Sequence, residues 1–176
     1  MRREEYEILV FSDSHGDDTL MRHALREHPH ADVIHLGDGL ADLDGAELRG
    51  RRVYTVPGNS EEFLGRLTGV PTAEAYGILE VGPHRIYYAH GHREHVKSGW
   101  DMAAYRAYGL GCDVLLFGHT HERTEEYLPE GSELCGETLT RPMQVYNPGT
   151  AGSGWECSCG LLTFIGGQML WSFLSM

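Results

Sequence analysis

Five short apolar runs, each ending abruptly in small and polar residues, constrain the fold of this chain more than any other feature of its sequence. The runs are residues 8–11, 33–36, 53–56, 86–89 and 114–117. Their length, their β-branched and aromatic residues and the turn-type residues at their ends predict buried strands. Strands of this kind place whatever follows them at the edge of a sheet.

Two helical stripes lie between these runs, and strand-like segments follow them. Residues 18–28 place Leu20, Met21, Ala24 and Leu25 at helical spacing before Pro29 stops the pattern. Residues 100–108 carry a second stripe, which ends at Gly109. In the last third the segments 123–128, 144–146, 161–165 and 169–173 are strand-like, without a convincing helix. We therefore expect an α/β fold in which a second sheet packs against the first.

Length and charge narrow the class of protein. At 176 residues the chain is expected to form one domain, 1–176. Lysine and arginine number 14 against 26 acidic residues, a net charge of −12, which argues against nucleic acid as a partner. The sequence has neither a signal-peptide pattern nor 18 consecutive apolar residues, so we expect a cytoplasmic protein without a membrane partner.

The four cysteines point to no metal site of their own. Cys112, Cys135, Cys157 and Cys159 are expected to be reduced thiols in the cytoplasm. A structural zinc on Cys157 and Cys159 is disfavoured, because no second closely spaced pair completes four ligands. The sequence assigns no role to these two cysteines.

Chemistry-bearing side chains follow each of the five apolar runs. The carboxyl ends of strands in an α/β sheet share one edge, so residues scattered in sequence are expected to meet there. The candidates, in chain order, are Asp13, His15, Asp38, Asn59, His90, His92, His119 and His121.

Taken singly, most of these fragments have a second interpretation. Asp13-x-His15 is equally typical of a turn capped by an aspartate. Gly58-Asn59 is also typical of a turn into a helix capped by Ser60, with two glutamates in its first turn. His119-x-His121 is stronger, because alternate residues of an extended segment point to the same side. The ordered set after five successive strands is far more specific than any one fragment.

This order of motifs resembles the calcineurin-like metallophosphoesterases, and most closely their small prokaryotic YfcE-type phosphodiesterase branch. The resemblance runs from Phe11 to the late loop Asn147-Pro148-Gly149-Thr150. It implies a two-sheet β-sandwich flanked by helices, in four layers α/β/β/α.

The resemblance also implies two adjacent metal sites. One ion would take Asp13, His15, Asp38 and His121, and the other Asp38, Asn59, His90 and His119, so that Asp38 bridges them. The residue types agree, because imidazole nitrogens and carboxylate oxygens suit manganese, iron, cobalt, nickel and zinc. We expect two divalent ions, with manganese favoured and nickel, cobalt, iron or zinc as alternatives.

The function implied by the resemblance is hydrolysis of a phosphate ester, a diester in preference to a monoester, by attack of a metal-bridging hydroxide. Asp38, Asn59 and His92 are the expected catalytic residues, with Asn59 and His92 also touching the substrate. Larger members of the family have a histidine, paired with an acidic residue, at the position of Ser60, and Glu61 matches the acidic position. A serine hydroxyl is too weak an acid to protonate a leaving group. His92 is the best substitute, although support of a neighbouring ligand or a hydrogen bond to the phosphate explains it equally well.

Other functions and partners remain open at this point. A relative with this fold, the retromer subunit, serves as an interaction scaffold, so a catalytically weak metal-binding scaffold is the alternative function. A metal-dependent nuclease is disfavoured by the negative charge and the lack of a basic, aromatic-rich groove. The expected partner is a small-molecule phosphate ester, and a homodimer is compatible with the resemblance.

Overall fold

Each of the five apolar runs forms a strand, and the polar segments that follow them meet at one end of a two-sheet sandwich. The structure is a computed structural model that describes residues 5–45, 47–152, 154 and 156–176. The strands are β1 (Glu5–Phe11), β2 (Asp32–His35), β3 (Val53–Thr55), β4 (Tyr76–Val81), β5 (His84–Ala89), β6 (Val114–Leu116), β7 (Arg123–Leu128), β8 (Glu133–Leu134), β9 (Glu137–Thr138), β10 (Met143–Pro148), β11 (Cys159–Ile165) and β12 (Gln168–Leu174). The helices are α1 (Thr19–Glu27), α2 (Asn59–Thr68) and α3 (Asp101–Gly109), with short 3-10 helices at Leu40–Gly45 and Val96–Ser98.

Two mixed five-stranded sheets form the sandwich. The first has the order β12-β11-β1-β2-β3, and the second has the order β4-β5-β6-β10-β7. Strands β1, β2 and β3 run parallel to one another, as do β5, β6 and β10. The loops after β1, β2 and β3 therefore leave the first sheet on one edge, and those after β5 and β6 leave the second sheet on one edge.

Alternation along β1 separates the layers. Ile8 and Val10 face the second sheet, where they join Ile86, Val114 and Leu116 in a buried cluster. Leu9 and Phe11 face the other way and pack under α1. The opposite surface of the second sheet is covered in the same manner by α3. The four layers α/β/β/α are thus confirmed, and each is held by the period-two alternation of strand side chains.

The four strands predicted in the last third do not form the second sheet by themselves, contrary to the expectation from sequence. Strands β7 and β10 extend the sheet that contains β5 and β6, whereas β11 and β12 extend the sheet that contains β1. The apolar pattern of a strand determines which of its faces is buried, but it does not determine which strand lies beside it.

The sequence offers helix α2 only as a second interpretation of Gly58-Asn59, and the pattern of buried and exposed residues in the helix explains why. It begins at Asn59 with Gly58 as its N-cap, so the alternative interpretation was right about a helix and wrong about Ser60 as the cap. Its only buried residue is Glu62, whereas Phe63 and Leu67 are exposed. A helix with an acidic residue inside and apolar residues outside escapes detection by hydrophobic periodicity.

Some sequence expectations concern segments at the limits of the description. The glycine-rich segment 149–154 forms the first part of the connection from β10 to β11 and has no regular structure, apart from Ser153, which lies outside the described residues. Residues 1–4, which the expectation about a signal peptide concerns, also lie outside them. None of the helices in the described part of the chain is long and apolar enough to cross a membrane.

Candidate metal centre

The segments that follow β1 and β6 bring three predicted ligands together. His121 Nε2 lies 3.2 Å from Asp13 Oδ1, and His15 Nε2 lies 3.7 Å from the same oxygen. The two imidazole Nε2 atoms are 3.4 Å apart. Asp13, His15 and His121 thus offer three ligand atoms within 4.8 Å of one another.

A second group forms beside the first. His90 Nε2 lies 3.1 Å from His119 Nδ1, 3.2 Å from Asn59 Oδ1 and 3.5 Å from Asp38 Oδ2. The members come from the segment after β2, the first residue of α2, and the segments after β5 and β6. The donor atoms of all four predicted ligands of the second ion therefore lie close together.

Asp38 lies between the two groups. Its Oδ2 is 3.5 Å from His90 Nε2 and 4.0 Å from His15 Nε2, while its Oδ1 accepts the Ser60 backbone N–H at 2.8 Å. Burial acts to raise the pKa of Asp38, but hydrogen bonds from His90 and the Ser60 N–H outweigh it and hold that pKa well below its usual value. Asp38 is therefore a carboxylate with one oxygen fixed by the backbone and one directed at both groups.

An orphaned oxygen shows that the residues suit a metal. Asp13 Oδ2 accepts hydrogen bonds from the Ser12 hydroxyl at 2.5 Å and the His119 backbone N–H at 2.9 Å. Asp13 Oδ1 is buried and has no hydrogen-bond partner in the described part of the chain. A buried carboxylate oxygen without a partner is costly unless a cation satisfies it. The imidazole and oxygen donors around it suit a divalent transition-metal ion.

The backbone at this site is held in an uncommon conformation. Seven non-glycine residues in the described part of the chain have positive φ, and five of them are predicted ligands: Asp13 (54°), His15 (47°), Asp38 (55°), His119 (67°) and His121 (62°). Left-handed backbone at such residues costs about 1–3 kcal/mol each and clusters at functional sites. Because the strained residues are the predicted ligands, the strain supports a functional site in these loops.

Contacts behind the ligands fix their orientation. His90 Nδ1 lies 2.7 Å from the Leu36 carbonyl oxygen, to which it donates, and this leaves Nε2 directed at the site. The Asn147 side-chain amide donates to the Gly118 carbonyl, and the Thr150 hydroxyl donates to the Asp13 carbonyl. The late Asn-Pro-Gly-Thr segment thus holds the loops that carry Asp13 and His119.

Glu61 holds two loops together. Its carboxylate accepts backbone N–H groups from four residues at 2.8–3.0 Å, namely Asp38, Gly39, Leu40 and Gly58. Burial acts to raise its pKa, but these four donors outweigh it and lower the pKa. The resemblance matched Glu61 to a partner of a missing histidine, yet its carboxylate is occupied by backbone. Nothing in the spacing of the sequence distinguishes these two uses.

A buried polar network supports the segment after β1. His35 Nδ1 accepts the Gly37 N–H, so Nε2 carries the proton and lies 3.2 Å from the Ser14 hydroxyl. Ser14 in turn donates to Asp42 Oδ2 at 2.5 Å. Burial lowers the pKa of His35 to about 4, so this histidine is neutral at neutral pH.

The two groups differ in their access to solvent. The side chains of His15 and His121 are 45% and 47% exposed, whereas His90 is fully buried. A cavity of about 710 Å³ opens beside His121. Burial and the neighbouring His90 lower the pKa of His119 to about 4, which leaves it neutral and able to bind a metal near neutral pH. The exposed group is the side from which a substrate can enter.

His92 lies next to the second group without belonging to it. Its ring centre is 5.3 Å from that of His90 and 6.1 Å from that of His119. Its Nε2 is 3.0 Å from Glu62 Oε2, within ion-pair distance, but both ring nitrogens are buried and neither makes a hydrogen bond among the described residues. His92 therefore lies between the second group and Glu62 with its hydrogen-bonding capacity unused.

The chain is similar in sequence to known proteins. The family model of the calcineurin-like phosphoesterase superfamily domain matches residues 6–162. The chain is 30% identical over 145 residues to "Probable metallophosphoesterase YsnB" of Bacillus subtilis, a match that covers 81% of this chain and 73% of that protein.

Solved structures with similar folds cover nearly the whole chain. A conserved protein of Streptococcus pneumoniae whose sequence predicts a phosphoesterase has a TM-score of 0.68 at 21% identity, covering 98% of this chain and 90% of that one. The phosphoesterase YfcE of Escherichia coli has a TM-score of 0.55 at 17% identity, covering 96% and 98%. Vps29 of Entamoeba histolytica in complex with Zn²⁺ has a TM-score of 0.58 at 20% identity, also covering 96% and 98%. At these identities the likeness shows the fold.

His35 predicts a dependence of stability on pH. The unfolded chain takes up a proton on this residue as pH falls below about 6.5, whereas the folded chain resists it until about pH 4. Its contribution to the free energy of unfolding is therefore greatest above pH 6.5 and falls by about 2–3 kcal/mol towards pH 4. We expect His35→Asn to destabilise the metal-free protein by about 1–3 kcal/mol at pH 7.5 and by less at pH 5, measured by urea unfolding. An equal cost at both pH values would contradict this account.

If Asp38 binds both metal ions, single substitutions should affect the two ions differently. Calorimetric titration with Mn²⁺ measures the affinity of each. We expect His121→Gln to weaken one ion and His119→Gln to weaken the other, each by at least about tenfold, because each removes one ligand of one group. Asp38→Asn should weaken both ions. His23→Gln, an exposed histidine of α1, is the control. Loss of only one ion in Asp38→Asn would show that Asp38 does not bridge.

Proposed function

The chain belongs to the calcineurin-like phosphoesterase superfamily, and we propose that it is a phosphodiesterase that works with two divalent metal ions, manganese being the expected metal. The observation that carries the proposal is the convergence of all seven predicted ligands at one edge of the sandwich, with Asp38 directed at both groups. A chain that served only as a scaffold would have no need of the complete set.

The residues divide the work of holding the ions. Asp13, His15 and His121 would hold the first ion and Asn59, His90 and His119 the second, with Asp38 between them. Two carboxylates offset part of the repulsion between two dications, while the Asn59 amide oxygen adds a ligand without adding charge. Bound here, a pair of divalent ions would acidify a water molecule and neutralise charge on the phosphoryl oxygens.

The remaining residues orient the substrate. The exposed imidazoles of His15 and His121 border the side from which a phosphate ester can enter. Asn59, at the exposed start of α2, and His92, whose ring centre is 5.3 Å from that of His90, would contact phosphoryl oxygens. Ser60 gives its backbone N–H to Asp38 and is too weak an acid to protonate an alkoxide. We therefore expect the protein to hydrolyse esters with poor leaving groups more slowly than esters with good ones.

Hydrolysis of bis-p-nitrophenyl phosphate and p-nitrophenyl phosphate tests the proposal. Metal-stripped protein should be inactive and should regain activity with Mn²⁺, with the diester preferred. Asp38→Asn should lower kcat/KM for the diester by at least about 1,000-fold, because it removes the ligand common to both ions. Asp44→Asn, an exposed aspartate of the first 3-10 helix, is the matched control.

The outcomes separate the alternatives. Preference for the monoester would overturn the assignment as a diesterase while retaining a phosphoesterase. Binding of two ions without turnover of either ester would favour the scaffold function instead.

The role of His92 is tested by the leaving group. We expect the wild-type protein to hydrolyse nitrophenyl diesters at least about 1,000 times faster than simple alkyl diesters, because the site lacks the usual proton donor. His92→Ala should lower kcat/KM for both kinds of diester by about 10–100-fold if His92 contacts the phosphate. A larger loss on the alkyl diesters would instead make His92 the proton donor, and equal wild-type rates on both would contradict the predicted preference. His23→Ala is the control.

A further inference from the structure

A second cavity has Glu62 as one of its lining residues. It has a volume of about 360 Å³ and lies between α2, the segment that follows α2, and Arg93. Its charged lining consists of Glu62, Arg66 and Arg93, and its wall consists of Val70, Pro71 and Thr72 with two glycines. The wall is close-fitting, because a Cβ on Gly65 would lie 2.9 Å from both the Val70 carbonyl oxygen and the Thr72 side chain.

Glu62 lies between His92, beside the metal centre, and the two arginines that line this cavity. Its side chain is 7% exposed, and its two oxygens have different partners. Oε2 is 3.0 Å from His92 Nε2, beside the second group of ligands. Oε1 accepts from Arg93 Nε at 2.7 Å and lies 2.5 Å from Arg93 Nη2. One buried carboxylate therefore contacts both a histidine beside the metal centre and an arginine in the cavity.

Arg93 is held in place with much of its binding capacity unused. A guanidinium has five N–H donors in a rigid fork, and Glu62 engages those on Nε and Nη2. The Arg93 side chain is 50% exposed, so its other donors are open to a ligand. Arg66 Nη2 lies 3.6 Å from Glu62 Oε2, and its side chain is 77% exposed. Two guanidinium groups thus border the same opening.

The charge of the cavity is opposite to that of the chain. Two arginines and one carboxylate leave one positive charge among the described lining residues, whereas the whole chain carries −12. Arginine is the side chain best suited to bind a phosphate or a carboxylate through paired hydrogen bonds. A positive opening beside a centre for phosphate esters favours a ligand with a second anionic group.

We propose that this cavity binds a second anionic group of the substrate, so that the preferred substrate is a phosphodiester that carries an additional phosphate or carboxylate on one of its alcohol groups. The inference rests on the proposed function, which places the scissile phosphate at the metal centre. Arg93 and Arg66 bind the additional anion, and Glu62 positions Arg93 for it.

A matched pair of chromogenic substrates tests the proposal. The p-nitrophenyl ester of thymidine 5′-phosphate has one anionic group, and the same ester with a 3′-phosphate has two. We expect the Mn²⁺-loaded wild-type protein to prefer the second by about tenfold or more in kcat/KM, mainly through KM, as hydrogen bonds to charged groups allow. The preference should fall about threefold in Arg66→Met and nearly vanish in Arg93→Met. The test compares the two substrates within each variant, so a general loss of activity does not affect the ratio.

Control measurements keep the two proposals distinguishable. Arg26→Met, an exposed arginine of α1, should retain the wild-type preference. Calorimetric binding of thymidine 3′,5′-bisphosphate and thymidine 5′-phosphate to the same Mn²⁺-loaded variants needs no turnover. Tighter binding of the bisphosphate that Arg93→Met abolishes supports the cavity even if neither ester is hydrolysed, an outcome that would refute only the proposed function. Equal binding of the two ligands by the wild-type protein, or a preference that persists in Arg93→Met, would overturn the inference.

Discussion

The arrangement of the site depends on the hydrogen bonds that the Glu61 carboxylate accepts from two loops. It receives backbone N–H groups from Asp38, Gly39 and Leu40 after β2 and from Gly58 before α2. Hydrogen bonds to a charged acceptor are about twice as strong as neutral ones, and four converge on one side chain. The two loops meet so closely that a Cβ on Gly37 would lie 2.3 Å from the Gly58 nitrogen. This junction places Asn59 beside His90 and brings the Ser60 N–H to Asp38.

The site loops store strain that the rest of the fold offsets. Five predicted ligands adopt left-handed backbone, and Asp13 keeps one buried oxygen without a hydrogen-bond partner among the residues that the structure describes. The compensating contacts come from outside the ligand set, from Glu61, from the pair Asn147 and Thr150, and from the chain of hydrogen bonds that joins His35, Ser14 and Asp42. A divalent ion would relieve the remaining cost by satisfying Asp13, so we expect metal binding and folding stability to be linked.

The sequence predicted which side chains would meet, because their signal is local. Each follows an apolar run, and parallel strands bring such ends together regardless of the distance between them in sequence. The order of the strands was harder, since β7 and β10 could pair with either sheet on the basis of their apolar pattern. Glu61 and Glu62 illustrate a further limit. The residues are adjacent, yet the rotation of the helix between them sends Glu61 to the backbone of two loops and Glu62 to His92 and Arg93. Only the packed structure distinguishes two such glutamates.

Anomalous diffraction from crystals grown with Mn²⁺, recorded at the manganese edge, tests the central claim most directly. The account predicts two peaks about 3.5–4 Å apart. One should lie among Asp13, His15 and His121 and the other among Asn59, His90 and His119, with Asp38 bound to both. A single peak, or two peaks without a shared Asp38, would contradict it.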